Sequence, residues 1–265
     1  MKHNYSKTFL EDVQSSFDLR NIRIDQVGVK GLRHPVTLKD KRRVTQATVA
    51  EFSLAVDLPH NFKGTHMSRF VEILNAHGNE LSASELPRML SELRSRLHAD
   101  CAHIKMSFPY FVEKSAPVTG AKGLMDYQVV FDATDCKGEI DFLMHVTVPV
   151  TTLCPCSKTI SERGAHNQRG EVRVSLRTNG NMLWIEDVIE IVESSASCEL
   201  YSLLKRLDEK FVTEKAYDNP VFVEDLVRNV AMKLNLLKNV TWYRIEVENH
   251  ESIHNHSAYA VIEKG

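Results

Sequence analysis

An apolar-rich run, TVPVTTL, ends in two cysteines, Cys154 and Cys156, held apart by Pro155. Twelve residues after the first of them stands His166, in the polar stretch GAHNQRG. A thiolate is a soft nucleophile and metal ligand, and an imidazole is a base and a common nitrogen ligand, so the pair suits a metal site or a nucleophile. The C-x-C spacing by itself is weak, because zinc sites with neighbouring cysteines typically leave about two to four residues between them. It fits equally well two small residues capping a strand, and His166 alone fits a hydrogen-bonded loop histidine. Their joint occurrence in a loop dense in Gly, Asn and Gln favours one cysteine acting together with His166.

Three more stretches could reach such a site. In ESIHNH, Glu251 and His254 are three apart and His256 follows, so in a hairpin loop they can face one point; a solvated polar turn is the plainer reading. In KRLDEK (205–210), Glu209 sits in what otherwise reads as a solvated charged surface. Glu224 and Asp225 open an apolar-periodic segment, where acids ordinarily meet the helix dipole. One thiolate, one or two imidazoles and a carboxylate form the ligand mix of a catalytic divalent metal with an open position for water. Such a metal lowers the pKa of its water toward neutrality.

These segments need a scaffold, and 265 residues are enough to build a sizeable core. Hydrophobic content of 43%, charged content of 26% and a formal charge of −2 are those of a soluble globular protein with no bias toward nucleic acid or acidic membranes. No apolar run approaches the ~20 residues of a membrane span, and the N-terminus lacks the apolar core of a signal peptide. Five cysteines is an odd count, so a disulfide framework is not expected; Cys101, Cys136 and Cys198 read as small apolar residues, and the reducing cytoplasm is the expected compartment.

Residues 1–20 read as a partly mobile N-terminal arm. Strands are expected at 22–32 and 45–57, the latter with Thr48, Ala50, Phe52, Leu54 and Val56 on its more apolar face. A helix follows with Met67, Phe70, Val71 and Leu74 in register, ended by Gly78. A second opens at Ser82 or Ser84 with the stripe Leu86, Met89, Leu90, Leu93 and Leu97. Strands at 102–112 and 123–133 close the first half. The second half begins with a strand at 140–150, then the Cys/His loop and a strand through Val172, Val174 and Leu176. Helices at 184–192 and 222–236 follow, the second with Phe222, Val223, Leu226, Val230 and Leu234 inward. Strands at 242–247 and 258–262 end it. The same strand-strand-helix-helix-strand-strand order thus occurs twice, which predicts an α+β class with antiparallel sheets and helices on one face. Unpaired far edges would call for subunit assembly.

TTLCPCSKTISERGAHNQRGEV closely resembles the signature of the type IB GTP cyclohydrolase I family, as do GTHMSRFVEIL (64–74), LLKRLDEKFVTEKAYDNPVFVEDLVRNVA (203–231) and ENHESIHNHSAYA (248–260). The resemblance implies a bimodular tunnelling fold, with ββααββ-like units over 21–135 and 136–265. It implies a homotetramer with interfacial active sites that converts GTP and water to formate and 7,8-dihydroneopterin triphosphate, at the entry to folate synthesis. Cys154 and His166 match the catalytic cysteine and its partner histidine. Glu209, Glu251 and His254 match positions around a divalent metal, manganese or zinc, with iron a further candidate. Glu224 matches the glutamate that anchors the purine. The expected chemistry is attack of a metal-activated hydroxide on guanine C8, ring opening with His166 or His254 as proton donor, and an Amadori rearrangement. Lys158, Arg163, Arg169, Lys205 and Arg206 are candidates for the triphosphate, with Lys158 and Arg169 preferred, and Ser157 is a further donor. Cys156 stands as an alternative to Cys154. Two other readings remain open on the residues: a tunnelling-fold nitrile reductase of 7-deazaguanine metabolism, with a covalent cysteine and a nicotinamide cofactor, and a non-catalytic zinc-stabilised module.

Overall fold

The computed structural model describes residues 12–77, 83–180 and 183–265. Most of the proposed N-terminal arm, Gly78 and Ser82 lie outside them. The first half runs β1 (Ile24–Lys39), β2 (Thr45–Leu58), α1 (Met67–Ala76), α2 (Leu86–Leu97), β3 (Cys101–Ser115) and β4 (Lys122–Cys136). The second runs β5 (Glu139–Leu153), α3 (Pro155–Ile160), β6 (Asn167–Thr178), α4 (Ile185–Glu193), β7 (Cys198–Glu199), α5 (Arg206–Asp218), α6 (Val223–Asn235), β8 (Val240–His250) and β9 (Ala258–Lys264). The doubled order is therefore present, with α3, β7 and α5 added to its second copy. The strands follow one another as β1-β2-β3-β4-β5-β6-β8-β9, with β7 paired to β5. Among the described residues, no helix is long and apolar enough to cross a membrane.

The chain divides into two compact units, and several strands run through both. The first holds residues up to Leu32 together with Phe52–Lys105 and Ala133–Asp141. Its core joins Phe52, Leu54 and Val56 of β2 with Phe70, Ile73 and Leu74 of α1 and the whole expected stripe of α2. Burying each such side chain contributes about 1.5–3 kcal/mol. Met67 and Val71, expected inward, lie exposed, and Ile73 takes the inner position. α2 begins at Leu86, and Glu85 rather than Ser84 stands at its capping position. At Gly28 a Cβ would stand 1.9 Å from Leu54 O, so only glycine allows β1 to approach β2 there.

The same unit corrects one expectation. Cys101 and Cys136 are joined in a disulfide, with their Cα atoms 4.2 Å apart. The β3–β4 hairpin brings the first residue of β3 beside the last of β4, a proximity that a separation of 35 residues conceals.

The second unit holds Arg33–Glu51, Met106–Asp132 and Phe142–Gly265. Val172, Val174 and Leu176 of β6 and Tyr243, Ile245 and Val247 of β8 are buried with Leu226, Val230 and Leu234 of α6. Phe222, expected inward, is instead the exposed residue before α6. The 205–210 run, read as solvated surface, contains a fully buried carboxylate, Asp208. It accepts bonds from Val118 N and Thr119 N (both 2.9 Å), Thr119 Oγ1 (2.6 Å) and Lys205 N (2.9 Å). Burial raises its pKa, but these donors, Thr119 first, outweigh that and hold it well below the usual carboxylate range. Asp208 thereby joins the β3–β4 turn to the first turn of α5.

Candidate active site

The pairing of β5 with β6 runs as far as Leu153 opposite Asn167, so the segment between them must close on itself. It does so through Cys154 N, which donates to His166 O at 3.1 Å. Pro155 opens α3, where a missing N–H is harmless and its fixed φ suits the helix. Cys154 is the capping residue, and its Sγ accepts Ser157 N at 3.4 Å. Ser157 Oγ in turn accepts His166 N at 3.2 Å. The thiol and the imidazole are thus tied to one short turn, a helix too brief to carry an apolar stripe and so invisible to periodicity. Cys154 is partly buried, whereas Cys156 is exposed and does not line the adjoining pocket.

Two distant segments meet this turn. β6 pairs with β8 so that Arg169 faces His250 and Gly170 faces Asn249, which brings Glu251 beside the start of β6. Glu251 Oε2 lies 3.8 Å from His166 Nδ1, and both side chains are largely buried. Val221 N donates to Leu153 O at 3.0 Å, which holds the entry to α6 against the end of β5. The result is a pocket of about 290 Å³. It is lined by Cys154, His166 and Gln168 from the loop and β6, by Val221, Phe222, Val223 and Glu224 at the start of α6, and by Asn249, Glu251, His254, His256 and Ala258. His254 and His256 stack with ring centroids 5.2 Å apart. Capping of α6 falls to Asp225, whose Oδ2 accepts Phe222 N at 3.3 Å, so Glu224 faces the pocket without that duty.

Of the expected site residues, the structure gathers Cys154, His166, Glu224, Glu251 and His254. Glu209 is exposed on α5 and does not line this pocket. Lys158 donates to Tyr217 O and lies 4.3 Å over the Tyr217 ring. Arg169 is exposed, alternating with the buried Gln168 and Gly170, so it projects from the other face of β6. Sequence reading missed Gln168 and Asn249. The signal was available: both share the strand parity of buried neighbours, Val172 and Val174 in β6, Ile245 and Val247 in β8. A polar residue on an inward parity marks a site or a buried network.

Cys198, in β7, is not a second nucleophile. Burial, and then the Glu199 carboxylate, push its thiol up to about 12. Glu199 itself is held at about 2: burial raises it, but Lys215 and Tyr201 outweigh burial.

The donor types in the pocket (thiolate, imidazole, carboxylate) fit a borderline divalent metal. His166 presents one ring nitrogen to Gln168 and has the other for a ligand, a common arrangement of metal-bound histidine. Among the described residues, no three His, Cys, Asp or Glu side chains are arranged to hold an ion within the single chain.

Residues 10–260 match the model of the family described as type I GTP cyclohydrolase FolE2. The chain is 57% identical over 254 residues to GTP cyclohydrolase FolE2 2 of Dechloromonas aromatica, covering 96% of this chain and 94% of that protein. It is 59% identical over 257 residues to GTP cyclohydrolase FolE2 of Akkermansia muciniphila, covering 96% and 97%. Among solved structures it is similar to a uricase from Bacillus fastidious, with a TM-score of 0.56 at 7% identity over 91% of this chain and 92% of that one. It is also similar to uricase from Arthrobacter globiformis, with a TM-score of 0.50 at 9% identity over 91% and 92%. At that identity the likeness concerns the fold alone, the tunnelling fold that the family resemblance implied and with which the doubled element order agrees. Matched over nearly its whole length, the chain belongs to the type I GTP cyclohydrolase FolE2 family.

Proposed function

We propose that the protein is a GTP cyclohydrolase that converts GTP and water to formate and 7,8-dihydroneopterin triphosphate. The observation that carries this reading is that Cys154, His166, Glu224, Glu251 and His254, scattered over a hundred residues, line one pocket. Its volume of about 290 Å³ falls just below the range of ligand pockets, roughly 300–1,000 Å³, and suits a base rather than a whole nucleotide.

Glu224 would accept two parallel hydrogen bonds from guanine N1–H and the 2-amino group, fixing the base. Phe222 and Val223 would cover its apolar faces. A divalent ion, manganese or zinc with iron as a further candidate, would be held by Cys154, His166, Glu251 and His254, and would supply Lewis-acid activation of the water that adds at C8. Whichever of His166 and His254 is off the ion at that step would deliver the proton to N7 or N9 as the imidazole ring opens. The same histidines suit the later proton transfers at C1′ and C2′ of the ribose. Glu209 and the triphosphate ligands would then come from another copy of the chain. The terminal positions of β1 and β9 in the strand order support such an assembly, a homotetramer in our reading. Lys158 and Arg169 remain candidates for the triphosphate only in that setting.

Incubation of the purified protein with GTP and Mn²⁺, followed by oxidation and pterin fluorescence, tests the activity. Fluorescence is expected, and a chelator should abolish it reversibly with no change in far-UV circular dichroism. Absence of pterin together with metal-independent NADPH oxidation on a 7-deazaguanine nitrile would favour the nitrile reductase instead. Unfolding by the chelator would favour a structural metal module.

A further inference from the structure

His166 Nδ1 lies 2.9 Å from Gln168 Oε1, and Gln168 Nε2 donates to Thr152 Oγ1 at 3.1 Å. Thr152 and Gln168 are cross-strand partners in the β5–β6 register and are both buried, at 0% and 8% exposure. A buried amide held at both ends is fixed in place, because freeing either end leaves a polar group unsatisfied.

Two hydrogen-bond patterns are self-consistent here, since a threonine hydroxyl both donates and accepts. Either Gln168 Oε1 accepts Nδ1–H, or the amide is reversed and its NH₂ donates to a bare Nδ1. Glu251 biases the choice between them. Its Oε2 stands 3.8 Å from the same Nδ1, and a carboxylate favours a proton on the nitrogen it faces. At that distance the carboxylate does not bond the ring itself, so the acceptor that would hold a proton on Nδ1 is Gln168 Oε1, which leaves the lone pair on Nε2 for a ligand.

We infer that Gln168 is a positioning residue: anchored by Thr152, and with Glu251 as the electrostatic bias, it sets the tautomer and orientation of His166. The inference rests on the cyclohydrolase reading for its consequence in turnover, but not for its geometry. It makes the β5–β6 register part of the active site. A strand pair fixes an amide, the amide fixes a ring, and the ring presents one chosen nitrogen.

The test uses the full chain, metal-free and ¹⁵N-histidine-labelled, in a two-bond ¹H–¹⁵N correlation spectrum, with the His166 signals identified by their loss in His166→Gln. The neutral ring in the wild type should show the Nδ1–H pattern. Gln168→Leu should shift it to a mixed or Nε2–H pattern and lower kcat about 10- to 100-fold, the usual cost of losing an outer-shell partner, with a much smaller change in KM. Gln168→Glu retains an acceptor and should retain the Nδ1–H pattern. Should Gln168→Leu fail to fold, Thr152→Val removes only the anchoring hydroxyl and should move the tautomer in the same direction. A wild-type tautomer pattern in Gln168→Leu or Thr152→Val, or a Gln168→Glu pattern like that of Gln168→Leu, would overturn the inference. Neither result depends on turnover, so a wild type that forms no pterin overturns the cyclohydrolase reading separately.

Discussion

Replacing Glu224 by glutamine separates a substrate anchor from a helix cap. The cap of α6 belongs to Asp225, which accepts Phe222 N, and Glu224 is exposed toward the pocket. The structural cost of Glu224→Gln is therefore limited to its interaction with the helix dipole, about 0.3–1 kcal/mol. In a protein of this size that lowers Tm by less than about 4 °C. The functional cost is larger. A carboxylate can accept from both N1–H and the 2-amino group, whereas a glutamine side chain accepts one and sets its own NH₂ against the other. Losing one charge-assisted hydrogen bond costs about 1.5–3 kcal/mol, a fall of about 10- to 150-fold in kcat/KM. The assay compares GTP with inosine triphosphate, which lacks the 2-amino group. Wild-type protein should prefer GTP, and in Glu224→Gln most of that preference should vanish. Asp225→Ala is the control: it should lose about 1 kcal/mol of stability as a missing cap does, yet keep the GTP preference. If Glu224→Gln kept full discrimination, or Asp225→Ala lost it, the assignment of Glu224 to the guanine edge would be refuted.

Cys154→Ala or His166→Ala should abolish formate release while circular dichroism and the thermal transition stay near wild type; normal turnover in Cys154→Ala would end its assignment. Glu199 has a folded pKa of about 2 against an ordinary 4.5, so its stabilising contribution is present above about pH 4.5 and is lost as pH falls toward 2. Urea denaturation should accordingly show Glu199→Gln less stable than wild type at pH 7, with a shallower decline on acidification; parallel curves would contradict the Lys215–Glu199 pairing. Asp208→Ala should raise hydrogen exchange together at residues 118–119 and in the first turn of α5, because one carboxylate holds both; exchange unchanged at 118–119 would show that the turn is held by something else.

Much of this architecture follows from local pattern. β2, β6, β8 and α2 are read correctly because one buried face imposes a period of two or 3.6 on the residues, and α2 keeps every expected member of its stripe. α3 escapes because six residues cannot display that period, and α5 because its buried residues are few, Asp208 and Ala216. The composition of the site is legible for a related reason: Cys154, His166, Glu251 and His254 are residue types that chemistry restricts. Their assembly is not legible, since it depends on which strand lies beside which. The β6–β8 register brings Glu251 to His166, the bond from Val221 to Leu153 brings Glu224 to Cys154, and the β3–β4 hairpin joins Cys101 to Cys136. Glu224 and Asp225 are adjacent acids with the same propensity, and only the direction in which α6 enters makes one a cap and the other a pocket wall. The sequence by itself determined the order of elements, the inward faces and the kinds of chemistry on offer. Tertiary structure decided which of those groups meet, because proximity between distant segments is set by register and packing, which no local period encodes.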